Sequence, residues 1–128
     1  MIKWGIVGAG NIAHSFSKDL ALVIGGELTA VASRDLDKAR SFANEYGAPN
    51  AFGSYEELFT SNTVDVIYIA TPHTTHAELS IAAMKAGKNV LCEKPVGVNK
   101  GEVEAMIKVA KENNVFFMEA LWTRFNPT

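Results

Sequence analysis

Short apolar runs alternate with amphipathic stretches from one end of the chain to the other. Residues 2–7 read as a strand, and residues 11 to about 23 read as a helix that Gly25-Gly26 ends. A second strand covers 27–33, and a helix follows from about 35 to 46. Asp35 suits its N-cap, because a short carboxylate accepts the free amide hydrogens of a first turn, and Gly47 suits its stop. The segment Asn50-Ala51-Phe52-Gly53 is a brief strand, and Ser54 and Glu57 stand at capping-box spacing before a helical turn or two over 54–60. Residues 64–70 are apolar at nearly every position, as in a strand covered on both faces. A helix over 75–86 closed by Gly87, a strand over 89–92, a helix over 99–113 and a last strand over 115–120 complete the series.

Strands that alternate with helices predict an α/β domain with a mostly parallel sheet covered on both faces. About six strands suit the doubly wound fold, which takes its ligand beyond the carboxyl ends of the strands. The expected organisation is one dinucleotide-binding domain over 1–121, with 122–128 beginning a linker.

Composition narrows the class. At 128 residues and 48% hydrophobic, the chain has enough apolar material for one real core and too much for disorder. A formal charge of −2, with basic residues scattered, gives no general attraction to nucleic acid or to an anionic membrane. The apolar runs are far short of the ~20 residues that span a bilayer. One cysteine, Cys92, excludes an intrachain disulfide framework and suits a reducing compartment, so a cytoplasmic location is expected.

The chemistry begins after the first strand, at Gly8-x-Gly10-x-x-Ala13, with Ala9, Asn11 and Ile12 in the same loop. A lone pair of spaced glycines is weak, but a strand before and a helix after give it meaning. Gly8 permits a sharp turn, Gly10 lets backbone approach a pyrophosphate, and Ala13 lets the helix pack closely on the sheet. The pyrophosphate then meets free amide hydrogens and the positive end of a helix dipole. At the end of the second strand, an NAD site usually has an acid to hold the ribose diol. This chain has Ser33-Arg34-Asp35, with Arg34 24 residues after Gly10. A guanidinium matches phosphate oxygens and the Ser33 hydroxyl can add a donor, so NADP is expected over NAD. The alternative leaves Arg34 in solvent and turns Asp35 inward to the ribose.

Two further loops on the same sheet edge carry polar clusters, Thr71-Pro72-His73-Thr74-Thr75-His76 and Glu93-Lys94-Pro95. A lysine between a strand and a proline is poorly explained by solubility. It can exchange protons when its surroundings lower its pKa from ~10.4, although an inconsequential Glu93–Lys94 surface pair fits the spacing as well. His14 reads as an exposed or helix-packing residue, Cys92 as a small buried apolar one, and no spacing suggests a metal site.

Taken in order, the glycine motif, Thr71-Pro72 with His76, and Glu93-Lys94-Pro95 resemble the Gfo/Idh/MocA family of NAD(P)-dependent oxidoreductases. The ending Met-Glu-Ala-Leu-Trp-Thr-Arg-Phe-Asn-Pro resembles more narrowly the branch holding dimeric dihydrodiol dehydrogenases and NADP-dependent xylose dehydrogenases. The resemblance implies a Rossmann fold and hydride transfer between nicotinamide and a secondary alcohol or carbonyl of a sugar, polyol or dihydrodiol. It places Lys94 beside the nicotinamide as the catalytic group that exchanges a proton with the substrate, and Glu93 and Pro95 around the nicotinamide ribose. It places Thr71, Pro72, His73 (where many relatives have asparagine) and His76 along the cofactor cleft, and Glu119, Ala120, Trp122 and Arg124 near the nicotinamide end.

Members of this family are generally two-domain proteins of more than twice this length, and the chain stops where the second domain would begin. The expectation is therefore a cofactor domain separated from a longer enzyme, inactive by itself and prone to pair through apolar surface, with a homo-oligomeric parent. A small-molecule substrate is expected, with neither nucleic acid nor membrane as partner. Two other classes stay open: a nucleotide-sensing regulatory module, and an NAD-dependent glycosidase of the same superfamily.

Overall fold

A computed structural model describes residues 2–8, 10–20, 25–71, 76–93 and 100–120, with residues 11, 12, 76, 93, 119 and 120 described by their backbone. The elements run β1 (Ile2–Val7), α1 (Asn11–Leu20), β2 (Gly26–Ala32), α2 (Leu36–Tyr46), β3 (Asn50–Phe52), α3 (Tyr55–Thr60), β4 (Val66–Ile69), α4 (His76–Lys85), β5 (Asn89–Glu93), α5 (Lys100–Glu112) and β6 (Phe117–Ala120). They form one sheet in the order β3-β2-β1-β4-β5-β6. Every described strand pair is parallel, so the sheet is wholly and not merely mostly parallel. The chain steps outward from β1 to β3, returns beside β1 as β4, and continues to β6. The reversal falls between β1 and β4.

Helices cover both faces, which is why β4 is buried at every position. On one face Leu58 and Phe59 of α3, Ala83 and Met84 of α4, and Met106 of α5 pack on Val7, Ile67, Ile69 and Val90. On the other, Ala13 and Phe16 of α1 and Ala39 and Phe42 of α2 pack on Ile6, Val31 and Tyr68. Phe16 stacks on Tyr68 with centroids 4.0 Å apart and planes 10° from parallel, and Trp4 meets Phe16 edge-on at 5.3 Å. These contacts fix α1 over the reversal point. Gly5 serves the opposite face, where a Cβ would lie 2.9 Å from both Leu58 and Val64. Phe116 and Met118 near and on β6, and Ile107 on α5, remain exposed.

Element ends follow local hydrogen bonding. Asp35 caps α2, accepting from the amides of Asp37 and Lys38, and Gly47 ends it at φ 73°. Ser54 caps α3 by accepting from the Glu57 amide at 3.3 Å, and its hydroxyl donates to the Glu57 carboxylate at 3.0 Å. β4 starts two residues later than its apolar run, because neighbouring polar groups occupy that stretch. The Asp65 carboxylate accepts from the Lys3 amide at 2.9 Å, and Lys88 Nζ donates to the carbonyls of Ser61 and Val64 at 2.6 and 2.9 Å. β6 starts at Phe117, not at Val115, because the Val115 amide donates to Ala110 and closes α5 through Asn114 at φ 55°. α1 is described to Leu20, and its expected extension to 23 lies outside the described residues.

Candidate cofactor site

A parallel sheet gathers every loop that follows a strand on one edge, and the reversal between β1 and β4 opens a crevice there. Gly8 ends β1 at φ 102°, donating its amide to Ala32 at 3.0 Å. A Cβ on Gly8 would stand 3.0 Å from the Ala70 carbonyl oxygen, so both the turn and the approach of β4 require glycine. Gly10 differs: among the described residues, a Cβ there would meet nothing within 4 Å. The Gly10 carbonyl accepts from His14 at 3.1 Å and starts α1, while Ala13 is fully buried against the sheet. Asn11 and Ile12 form the first turn of that helix, and Ala9 lies outside the described residues. The other described helices all carry an acid in their first turn, whereas α1 has none to neutralise its positive end.

The end of β2 supplies the second wall. The Ser33 amide donates to Phe52 at 3.1 Å, and its hydroxyl oxygen accepts from the Asp35 amide at 3.2 Å. Oδ1 of the Asp35 carboxylate accepts from the α2 amides of Asp37 and Lys38, at 3.0 and 3.4 Å. Arg34 is exposed and makes no ion pair among the described residues. Its guanidinium carbon lies 5.9 Å from the ring centroid of Tyr55. Arg34 and Tyr55 border a hollow of about 420 Å³ with Gly53, Ser54, Glu78 and Leu79. Sequence reasoning singled out Arg34 but missed Tyr55, whose only visible signal was its place behind the Ser54 cap.

The far wall is formed by β4, β5 and β6. Thr71 follows β4 and is half-buried. Cys92 pairs with Glu119, and Glu93 with Ala120, so the expected nicotinamide-side residues on these two strands share one end of the sheet. His76 opens α4. Four strand spacings separate β2 from β6, roughly 19 Å, so an extended ligand would have to cross the crevice to reach both. Pro72, His73, Lys94, Pro95, Trp122 and Arg124 lie outside the described residues.

His14 is committed elsewhere. Its Nδ1 is 2.6 Å from the Tyr46 hydroxyl and 3.7 Å from a Glu45 carboxylate oxygen, and its ring packs on Phe42 at 4.5 Å. It ties α1 to α2, as a helix-packing residue does. Burial, and then the Glu45 charge, push the Tyr46 hydroxyl above the usual tyrosine pKa. Cys92 is fully buried. Among the described residues, no group of three or more His, Cys, Asp or Glu side chains could hold a metal, and no helix is long and apolar enough to cross a membrane.

A doubly wound parallel sheet with a glycine turn at its reversal point defines a dinucleotide-binding domain. Residues 2–121 match the model of the Gfo/Idh/MocA oxidoreductase family with its NAD-binding Rossmann fold, and the chain belongs to that family. It is 48% identical to the mouse (Mus musculus) trans-1,2-dihydrobenzene-1,2-diol dehydrogenase over 128 residues, covering 98% of this chain and 38% of that one. The Bos taurus enzyme of the same name is 47% identical with the same coverage. A solved 3-ketoreductase from Actinomadura kijaniata, in complex with NADP and TDP-benzene, superposes with a TM-score of 0.90 at 33% identity, over 94% of this chain and 37% of that one. The chain thus spans well under half the length of the relatives it matches. Those relatives are named as dehydrogenases or a reductase, and none of them favours the sensor or glycosidase alternatives.

Proposed function

We propose that this chain is the NADP(H)-binding domain of an oxidoreductase acting on a secondary alcohol or carbonyl of a sugar, polyol or dihydrodiol. The observation that carries the reading is the contrast at the opening loop. Gly8 is glycine because the fold requires it, whereas a Cβ on Gly10 would meet nothing within 4 Å among the described residues beyond its chain neighbours. That space lies at the N-terminus of α1, whose first turn has no acid and whose backbone amides suit a pyrophosphate. The bound cofactor would give or take a hydride; this chain would hold it in place. Gly8, Ala9, Gly10, Asn11 and Ile12 would cradle the pyrophosphate, and Ser33 and Arg34 would receive the phosphate that distinguishes NADP from NAD. Thr71, Pro72, His73 and His76 would line the cleft, and Glu93, Glu119, Ala120, Trp122 and Arg124 the nicotinamide end. The Lys94 amine would exchange a proton with the substrate oxygen, a role that rests on the family resemblance.

Supporting NADP over NAD is the position of Asp35, whose Oδ1 is engaged in capping α2. The NADP found with the 3-ketoreductase points the same way. A cytoplasmic location, residues 122–128 as the start of a linker, and a homo-oligomeric parent belong to the same reading, the last supported by exposed Ile107, Phe116 and Met118. Fluorescence titration of this chain with NADPH and NADH tests the cofactor reading. NADPH should bind more tightly, and Arg34→Ala should erase the preference. An unchanged preference in that variant would remove Arg34 as its source.

A further inference from the structure

The hollow beside β2 contains an aromatic ring to which neither the glycine loop nor the strand ends assign a task. Tyr55 is the first residue of α3. The position of that helix is fixed by its Ser54 cap and by Leu58 and Phe59, both buried in the core, and Tyr55 itself packs against the same cluster. The ring is therefore held partly buried against the core. The guanidinium of Arg34, an exposed side chain with no ion pair among the described residues, lies over it at 5.9 Å. That distance is within the ~6 Å at which a cation is attracted to an aromatic face.

The geometry matters because a guanidinium has two kinds of surface. Its faces stack; its N–H groups donate in the plane of the fork. The Arg34 guanidinium carbon lies 5.9 Å from the Tyr55 centroid, and a cation attracted to the ring through its face keeps its in-plane donors for phosphate oxygens. The other lining charges of the hollow, Glu56 and Glu78, are carboxylates that repel an anion. Among the described lining residues, Arg34 is the cation that a phosphate would meet. An unsupported surface arginine would lose its side-chain freedom only on binding, which weakens the complex.

Resting on the NADP reading above, we propose that Tyr55 is a positioning residue for cofactor selectivity, holding Arg34 over its ring so that the guanidinium is arranged for a ribose 2′-phosphate before the cofactor arrives. Tyr55 acts through Arg34 and needs only its aromatic face, not its hydroxyl.

The test uses this chain and two nucleotides that differ by one phosphate, adenosine 2′,5′-bisphosphate and 5′-AMP, titrated by calorimetry. Tyr55→Leu should weaken the bisphosphate by about three- to fivefold and leave 5′-AMP within twofold, on the scale of an exposed cation–π contact. Tyr55→Phe should restore the wild-type ratio. In an Arg34→Ala background, Tyr55→Leu should change the ratio no further. If Tyr55→Leu weakens both nucleotides equally, the ring is a general wall of the pocket and the inference fails. If Arg34→Ala removes the bisphosphate preference but Tyr55→Leu and Tyr55→Phe both keep it, the inference fails while the NADP reading stands. If wild type shows no preference, or binds neither nucleotide, both fall. Should Tyr55→Leu not fold, Tyr55→His, still planar but a poorer cation platform, should give an intermediate ratio, and a wild-type ratio there overturns the inference.

Discussion

A Cβ placed on Gly8 would meet the Ala70 carbonyl at 3.0 Å, whereas one placed on Gly10 meets nothing within 4 Å among the described residues. The motif makes the two glycines look alike, and the structure separates what each is for. Gly8→Ala forces a residue with a Cβ into φ 102° against backbone and should cost about 1–3 kcal/mol in urea unfolding. Gly10→Ser puts a good N-cap residue into open space, so stability should stay within about 0.5 kcal/mol. The same substitution should weaken NADPH about tenfold or more, because the added atoms stand where the pyrophosphate approaches. Unfolding curves and titrations on both variants check this. A Gly10→Ser protein that binds NADPH normally would return that glycine to an ordinary turn. At Arg34 and Asp35 the sequence left two assignments open. The structure adds the hydrogen bonds of Asp35 Oδ1 to the α2 amides, and a linear pattern does not show which way a carboxylate turns.

Helix α1 meets α2 through the His14–Tyr46 contact, with Glu45 beside it. Burial, followed by the Glu45 charge, raises the Tyr46 pKa above 10.0 in the folded chain. The folded state therefore keeps its proton where the unfolded state has begun to lose one. The stabilisation is fully present below pH 10 and is lost as pH rises through the folded value. Tyr46→Phe should lack that component, so its stability should fall less steeply than wild type above pH 10. Parallel slopes there would mean that the hydroxyl does not titrate differently on folding. Lys88 works in the opposite sense, since burial lowers its pKa, and its presence in both proteins cancels in the comparison. At this scale the sequence was most readable where one residue type does one local job: Asp35, Ser54 and Gly47 are caps recognisable from spacing alone. It was least readable where a distant group intervenes. Lys88 reaches the carbonyls of Ser61 and Val64, and Asn89 Oδ1 accepts from the Phe116 amide at 3.0 Å, so the ends of β4 and the approach to β6 depend on contacts far away in sequence. Tyr55 was hidden for the same reason, because its partner Arg34 comes from another βα loop.

For the whole molecule, alternation of strands and helices was enough to give the doubly wound class, but not which side of β1 each later strand takes. That order puts β4 beside β1, so the Gly8 turn and the end of β4 at Ala70 meet on one edge, and the charged groups Asp65 and Lys88 sit at the opposite edge. Hydrogen exchange can read this polarity. β1 and β4 are paired on both sides, and β4 is fully buried, so their amides should exchange only through global unfolding. β3 and β6 are edge strands and should exchange through local opening. A ligand that binds the folded state alone stabilises it by about 2.7 kcal/mol at 100 times its Kd. NADPH at that level should therefore slow the β1 and β4 amides about 100-fold wherever they lie along the strand. Locally opening amides should divide by position. Those of the Gly8–Gly10 turn, the first turn of α1 and the Ser33–Asp35 loop should slow, and those near Ser61 and Asn89 at the far edge should not. Uniform slowing of every local opening would place the ligand's effect outside the crevice. No slowing of β4 would mean that the folded chain does not bind NADPH, and the reading of the carboxyl edge as a cofactor site would fail with it.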